Sequence, residues 1–279
     1  MPYRRIEYSG AIYHVTQRGN NREAVLSLDE DKTNLLDLLG RYKNRLDFNI
    51  FGYVLMDNHY HLLIKVGNTP LNKIMHRINH QYSMNYNRKS NRTGHVFGGR
   101  YKAGLIQDEK YLFAVLRYVH WNPLRAGICS QVYDYRWSSD RAYRNNEDGL
   151  TDIGFILDTF SSERLKAVET YKRLMQTEED TDYEKLGLIG DDDFKEAQLT
   201  EQDENKATVG TQRQSLEEII AETGANDDDL DLIKSGSRKR HLRKYKVDYV
   251  IKAVSAGYTY KEIGNYINVS GAAIFRLIN

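Results

Sequence analysis

The stretch Phe48–Val66, FNIFGYVLMDNHYHLLIKV, constrains this chain more than any other. Two apolar, β-favouring runs meet at Asp57-Asn58, a polar step that ends one strand and starts the next, so the stretch predicts a hairpin. Its second run carries His59, Tyr60 and His61. Alternate side chains of a strand share a face, which sets His59 and His61 side by side. Such a pair can supply two corners of a metal site, or it can simply cap a polar sheet face.

The remaining elements follow from spacing and punctuation. Ser9–Arg18 alternates in the strand manner and stops at Gly19-Asn20-Asn21. Asp29–Phe48 carries Leu35, Leu36, Leu38, Leu39, Tyr42 and Leu46 at helical intervals. Thr69-Pro70 opens a second helix from Leu71 to about Arg88, and Lys102–Gln107 reads as a fourth strand. Asp108 caps a helix over Glu109–Asn122, which Pro123 is expected to stop. The order strand, helix, strand, strand, helix, strand, helix predicts an α+β domain. Its topology would be a ferredoxin-like split βαβ antiparallel sheet, with the hairpin pair central and helices on one face.

Length and charge then divide the chain. With 279 residues there is room for about two domains, and 28% charged with 40% hydrophobic residues excludes a disordered chain. Cys129 is the only cysteine, so no intrachain disulfide can form and a reducing compartment is expected. The N-terminus MPYRRIEYSG lacks the apolar centre of a signal peptide, and no apolar run nears the roughly 20 residues of a membrane helix. A cytoplasmic protein is the expectation. Residues 1–145 hold 22 basic against 12 acidic residues, a net +10. Residues 146–206 hold 7 against 18, a net −11, and 207–279 hold 11 against 9. The first segment suits a polyanion, and the second reads as an acidic, partly helical connector. Phe155–Met175 is helical in pattern, as is Ser215–Thr223. Beyond Leu242, three short helices with Asn268-Val269-Ser270 as a tight connection predict a helix-turn-helix unit over 207–279.

The helix Glu109–Asn122, EKYLFAVLRYVHWN, places Tyr118 and Asn122 four residues apart on one face. An amide oxygen at Asn122 could join His59 and His61 as a third ligand, with Tyr118 one turn away. Taken singly, Tyr118 is one of 21 tyrosines and Asn122 a helix-end residue.

Together these residues resemble the REP-associated tyrosine transposases of the single-tyrosine HUH superfamily. The resemblance runs from Tyr3 to about Tyr143, in VLMDNHYHLLI, in LRYVHWNPLRAGI over Leu116–Ile128 and in YRWSS over Tyr135–Ser139. It implies a nuclease domain over 1–145 that cuts single-stranded DNA bearing hairpins and transfers the strand. By the same resemblance Tyr118 is the nucleophile that forms a 5′-phosphotyrosine, and His59, His61 and Asn122 bind a divalent cation, Mg²⁺ or Mn²⁺. The C-terminal EIGNYINVSGAAIFRLI resembles a DnaA-like helix-turn-helix, which implies a duplex DNA partner. In such transposases the tyrosine helix can be exchanged between subunits, so a homodimer and a monomer both stay open.

Arg18 and Arg22 flank the turn after the first strand, and Arg88, Lys89, Arg92, Arg100 and Lys102 surround a glycine-broken loop with Tyr86, Phe97 and Tyr101 between them. Cations on phosphates with rings on unpaired bases are what single-strand binding needs. Arg125 lies in the resembling block and either contacts phosphate or braces the helix end. Two other readings remain: a DNA-binding regulator that does not cleave, and a replication- or conjugation-type relaxase. Relaxases usually bring a third histidine or a second tyrosine.

Overall fold

The computed structural model describes residues 6–178, 180–199, 214–237 and 239–278. They fall into two compact units, Met1–Leu199 and Thr200–Asn279. The expected boundary at 206/207 lies outside the described residues.

The first unit is built on a five-stranded sheet in the order β2-β3-β1-β4-β5. Its strands are β1 (Ile12–Arg18), β2 (Phe48–Leu55), β3 (His59–Val66), β4 (Lys102–Ile106) and β5 (Leu188–Ile189). The first four are antiparallel, as the element order implied. The central strands are β3 and β1, however, and not the hairpin pair. In a split βαβ arrangement the helix after β1 carries β2 past its position, so β3 returns between them. The fifth strand, β5, pairs parallel to β4 and comes from the acidic segment.

Helices cover both faces of the sheet, which corrects the one-face expectation. The helices α1 (Asp29–Lys43) and α2 (Leu71–Lys89) bury Leu35, Leu38, Leu39, Ile74 and Ile78 against Tyr13, Val15, Tyr60, Leu62 and Ile64. On the other face α3 (Glu109–Arg125) buries Leu112, Val115, Leu116 and Val119 with Val54 and Leu63. Strand alternation makes this two-sided core possible: Tyr60, Leu62, Ile64 and Val66 of β3 face α1 and α2, and Leu63 on the other face packs with α3. A bulge between Ile50 and Gly52 lets α3 come close. A Cβ at Gly52 would stand 2.6 Å from Leu116 Cδ1.

Pro123 lies inside α3, which ends at Arg125 rather than Asn122. Proline in the last turn removes one backbone bond where few remain to be made, so the helix runs on for two residues. The helix expected over Phe155–Met175 is two helices, α5 (Ile153–Phe160) and α6 (Arg164–Leu174), after the short α4 (Asp140–Asn145). Ser161 between them is fully extended, which breaks the backbone ladder. These helices bury Ile156, Leu157, Val168 and Tyr171 in the core shared with α3. Residues 146–199, read as a connector, therefore belong to the first unit, where 192–199 forms a further helix, α7.

The second unit contains α8 (Leu216–Ala221), α9 (Asp227–Lys234), α10 (Arg243–Ser255), α11 (Tyr260–Tyr266) and α12 (Gly271–Ile278). Ile220, Ile233, Tyr249, Val250, Ile263, Ile267 and Ile274 form its core. Thr259 caps α11 in a reciprocal capping box with Glu262.

Candidate active site

The site lies where β1, β3 and α3 meet. The antiparallel register pairs Thr16 with His61 and Arg18 with His59, so His14, Thr16 and Arg18 share the face of His59 and His61. Tyr60, between the histidines, points to the opposite face, where its hydroxyl donates to Asn79 Oδ1 at 2.5 Å and its ring is fully buried. This anchor fixes the strand that presents both imidazoles.

The rings of His59 and His61 meet edge to face, with centroids 5.1 Å apart. His59 Nδ1 donates to Asn58 Oδ1 at 2.6 Å. His61 Nδ1 lies 2.9 Å from His14 Nε2 and 3.0 Å from Thr16 Oγ1. Its Nε2 is buried with no hydrogen-bond partner. Burial holds His14 and His59 down to about pKa 4, Arg18 adding to the effect at His59, and lowers His61 well below its ordinary value, with His14 and His59 contributing. All three are neutral at physiological pH, the form in which imidazole offers a lone pair to a metal.

Tyr118 is buried against this cluster, its ring edge-on to His14 and to His61 at 5.8 Å each. Its hydroxyl donates to Asp182 Oδ1 at 3.3 Å. Tyr183 packs on its ring at 5.5 Å, and the Arg125 guanidinium lies 5.5 Å from it. Burial, then the charges of Asp182 and Glu184, push the phenol well above its ordinary value. Asn122 donates from Nδ2 to the Tyr118 carbonyl at 2.8 Å, a bond that occupies its amide nitrogen rather than its oxygen. The helix thus carries Tyr118 to the face where the two histidines stand, with Asn122 one turn further along it.

The basic residues divide. Arg18 bonds Glu184 at 3.1 Å and Lys102 bonds the same carboxylate at 3.2 Å. Arg125 bonds Glu178 at 2.8 Å. These three surround the Tyr118 site. Lys89 bonds Asp31 at 2.7 Å and Glu30 at 3.3 Å, and with Arg88 it lines a groove between α1 and α2, across the sheet from Tyr118. Arg92 bonds Glu23 at 2.7 Å. Arg22 and Arg100 are exposed on the loops beside β1 and β4.

Sequence reasoning missed His14, Thr16, Asp182 and Glu184. His14 and Thr16 share strand parity with Arg18, a signal present in SGAIYHVTQR, but their partner across the sheet depends on register. Asp182 and Glu184 sit in a stretch whose charge resembles that of a linker.

Residues 7–122 match the model of a family described as Transposase IS200 like. The matched stretch lies within the first unit and runs from β1 to α3. Among solved structures, the chain is similar to a REP-associated tyrosine transposase bound to a REP hairpin, with 19% identity and a TM-score of 0.46 over 55% of this chain and 93% of that one. It is also similar to a protein of Deinococcus radiodurans R1 provisionally assigned as a transposase, with 14% identity and a TM-score of 0.31 over 43% of this chain and 92% of that one. No curated protein matches the chain. Among the described residues, no helix is long and apolar enough to cross a membrane.

Proposed function

We propose that this chain is a divalent-cation-dependent endonuclease and strand transferase for single-stranded, hairpin-bearing DNA, with Tyr118 as nucleophile. The observation that carries the reading is the buried, partnerless Nε2 of His61 beside the Tyr118 ring. Leaving a buried polar atom unsatisfied costs about 1–3 kcal/mol, and a ligand that binds there removes that cost.

Among the described residues, no three His, Cys, Asp or Glu side chains group as a cation site, so the ligand set requires another donor type. His59 and His61 supply ring nitrogens and Asn122 its amide oxygen. This mixed set, without a thiolate, suits Mn²⁺ or Mg²⁺. When bound, the cation offsets charge on a non-bridging oxygen of the scissile phosphate. Tyr118 Oη then bonds phosphorus while the bond to the 3′-oxygen breaks. Tyr118 releases its phenolic proton to solvent as it attacks, and the departing 3′-oxygen takes up a proton to become a hydroxyl, so protons balance. The phosphotyrosine bond conserves the energy of the broken one, so a second 3′-hydroxyl can displace Tyr118 and join strands.

Arg18, Lys102 and Arg125 are the cations best sited to hold phosphates at this centre, Arg22, Arg92 and Arg100 stand on neighbouring loops, and Arg88 and Lys89 lie on the opposite side of the sheet. The hairpin preference rests on the sequence resemblance that runs from Tyr3 to Tyr143. In the second unit α11 and α12 are joined by only four residues, Ile267–Ser270, which supports duplex contact through a helix-turn-helix.

The test is cleavage of a labelled hairpin-ended oligonucleotide against Mn²⁺ concentration. Wild type should cleave only with the cation, and His59→Ala and His61→Ala should lose that response. Cleavage by both variants with an unchanged Mn²⁺ dependence would refute the ligand assignment. Binding without cleavage by wild type would favour the regulator.

A further inference from the structure

We infer that Arg22 is a specificity-determining residue that reads a guanine in the unpaired strand beside the His59 end of the site; the inference rests on the reading of single-stranded DNA as substrate. Of the basic residues read as DNA contacts, Arg18, Lys89, Arg92, Lys102 and Arg125 each bond a carboxylate. Among the described residues, Arg22, Arg88 and Arg100 bond none. Arg88 lines the groove between α1 and α2, on the far side of the sheet. Arg22 and Arg100 stand on two turns that are tied together at the end of β1.

The ties are backbone hydrogen bonds. Asn20 N donates to Val96 O at 2.9 Å, and Gly98 N donates to Arg18 O at 3.0 Å. Gly19 N donates to Asn58 O at 2.8 Å, which joins the Asn20–Arg22 turn to the residue before His59. Arg22 N donates to Gly19 O at 3.0 Å and Glu23 N to Asn20 O at 2.8 Å, closing the turn on itself. The Glu23 carboxylate is held by Arg92 at 2.7 Å. Arg18, in register with His59, immediately precedes the turn.

The conformation fixed in this way does not suit its sequence. Asn21 and Arg22 both have left-handed backbone, with φ of 49° and 62°. Asparagine tolerates that region and glycine takes it freely, whereas arginine seldom adopts it. Arg22 gains nothing within the fold in return. It is exposed, and its guanidinium has no hydrogen bond or ion pair among the described residues. Strain of this kind collects where a ligand is gripped.

The strain also separates two kinds of DNA contact. A cation that only neutralises phosphate needs charge and reach, which any exposed position supplies. A guanidinium that reads a base must present its planar fork from one direction, and a rigid backbone sets that direction. In an unpaired strand the base edges are open, and guanine offers N7 and O6 as paired acceptors that match the fork.

The experiment uses the full chain, metal-free, and a pool of oligonucleotides with a fixed hairpin stem and a randomised single-stranded arm. Sequencing the bound fraction gives base preference by position, filter binding gives total affinity, and thermal unfolding gives stability. Wild type should favour guanine at one position of the arm by about 10–100-fold. Arg22→Lys keeps the charge and lacks the fork, so it should bind the pool within a few-fold of wild type and lose the preference. Arg22→Gly should lose the preference too. It should unfold close to wild type, because ease at positive φ offsets the freedom glycine adds to the unfolded chain. A wild type without guanine preference overturns the proposal, as does an Arg22→Lys protein that keeps it. An Arg22→Gly protein that binds every sequence more weakly with the preference intact makes Arg22 a phosphate contact, which overturns it as well. So does unfolding of Arg22→Gly far below wild type, which would give the side chain a structural part. Failure of wild type to bind the pool at all would instead refute the single-stranded DNA reading.

Discussion

Tyr118 donates its hydroxyl proton to Asp182, 3.3 Å away, and the charge of that carboxylate helps push the phenol above its ordinary range. Asp182→Asn removes the charge and keeps the shape. The Tyr118 pKa should fall, and the pH at which a phosphotyrosine adduct forms should fall with it. At any pH below that pKa, a phenol made tenfold more acidic holds about tenfold more phenolate. Adduct formation measured across alkaline pH checks this. A profile that stays put or moves upward would assign Asp182 a different part, as the proton acceptor of the reaction.

Glu184 neutralises Arg18 and Lys102 together, so DNA must compete with it for both. Glu184→Gln should tighten binding to single-stranded DNA and steepen its salt dependence by about one further phosphate contact or more. Its effect on stability should be small, about 1 kcal/mol or less, because both cations are partly exposed. Filter binding over a salt series reads both the affinity and its slope. Equal slopes for wild type and variant would place the DNA path elsewhere.

His120 is fully buried, hydrogen-bonded to Ser139 Oγ at 2.7 Å and to the Tyr171 hydroxyl at 2.8 Å. Burial lowers its pKa from 6.5 to about 4. Between those values the folded state binds fewer protons than the unfolded one. Its stabilising contribution is complete above pH 6.5 and is lost as pH falls toward about 4. The slope from this one group is at most about 1.4 kcal/mol per pH unit. Denaturant unfolding from about pH 7 to about pH 4 should show stability falling, and His120→Gln should flatten the slope. An unchanged slope would contradict the account.

Gly264 lies within α11, where alanine normally stabilises a helix by about 1 kcal/mol over glycine. Here an added Cβ would stand 2.5 Å from the Val269 carbonyl oxygen and 3.2 Å from the Gly271 nitrogen. Overpacking against backbone costs about 1–3 kcal/mol and should outweigh the helical gain. Gly264→Ala should therefore lower the stability of the second unit in hydrogen exchange over α11 and α12. Increased protection there would show that the turn is looser than the structure has it.

The hairpin at Asp57-Asn58, the helices on either side of it and the shared face of His59 and His61 were legible because they depend on local periodicity. The face carrying Tyr118 and Asn122 was legible for the same reason. Which face of the sheet α3 covers was not, since its packing with Val54 and Leu63 is a long-range contact. The place of β1 between β3 and β4, and hence the contact of His14 with His61, rests on long-range pairing that no window reveals. Asp182 and Glu184 were hidden by composition. An acidic stretch poor in apolar residues resembles a linker, yet Tyr183 and Ile189 are enough to dock it.

The nucleophile is the central claim, and a denaturing gel tests it most directly. Protein, Mn²⁺ and a hairpin-ended single-stranded oligonucleotide, labelled on the 3′ side of the cut, are mixed and resolved with denaturant. Wild type should carry the label as a covalent adduct, and Tyr118→Phe should carry none while still binding the oligonucleotide. An adduct of equal yield on Tyr118→Phe would contradict the assignment.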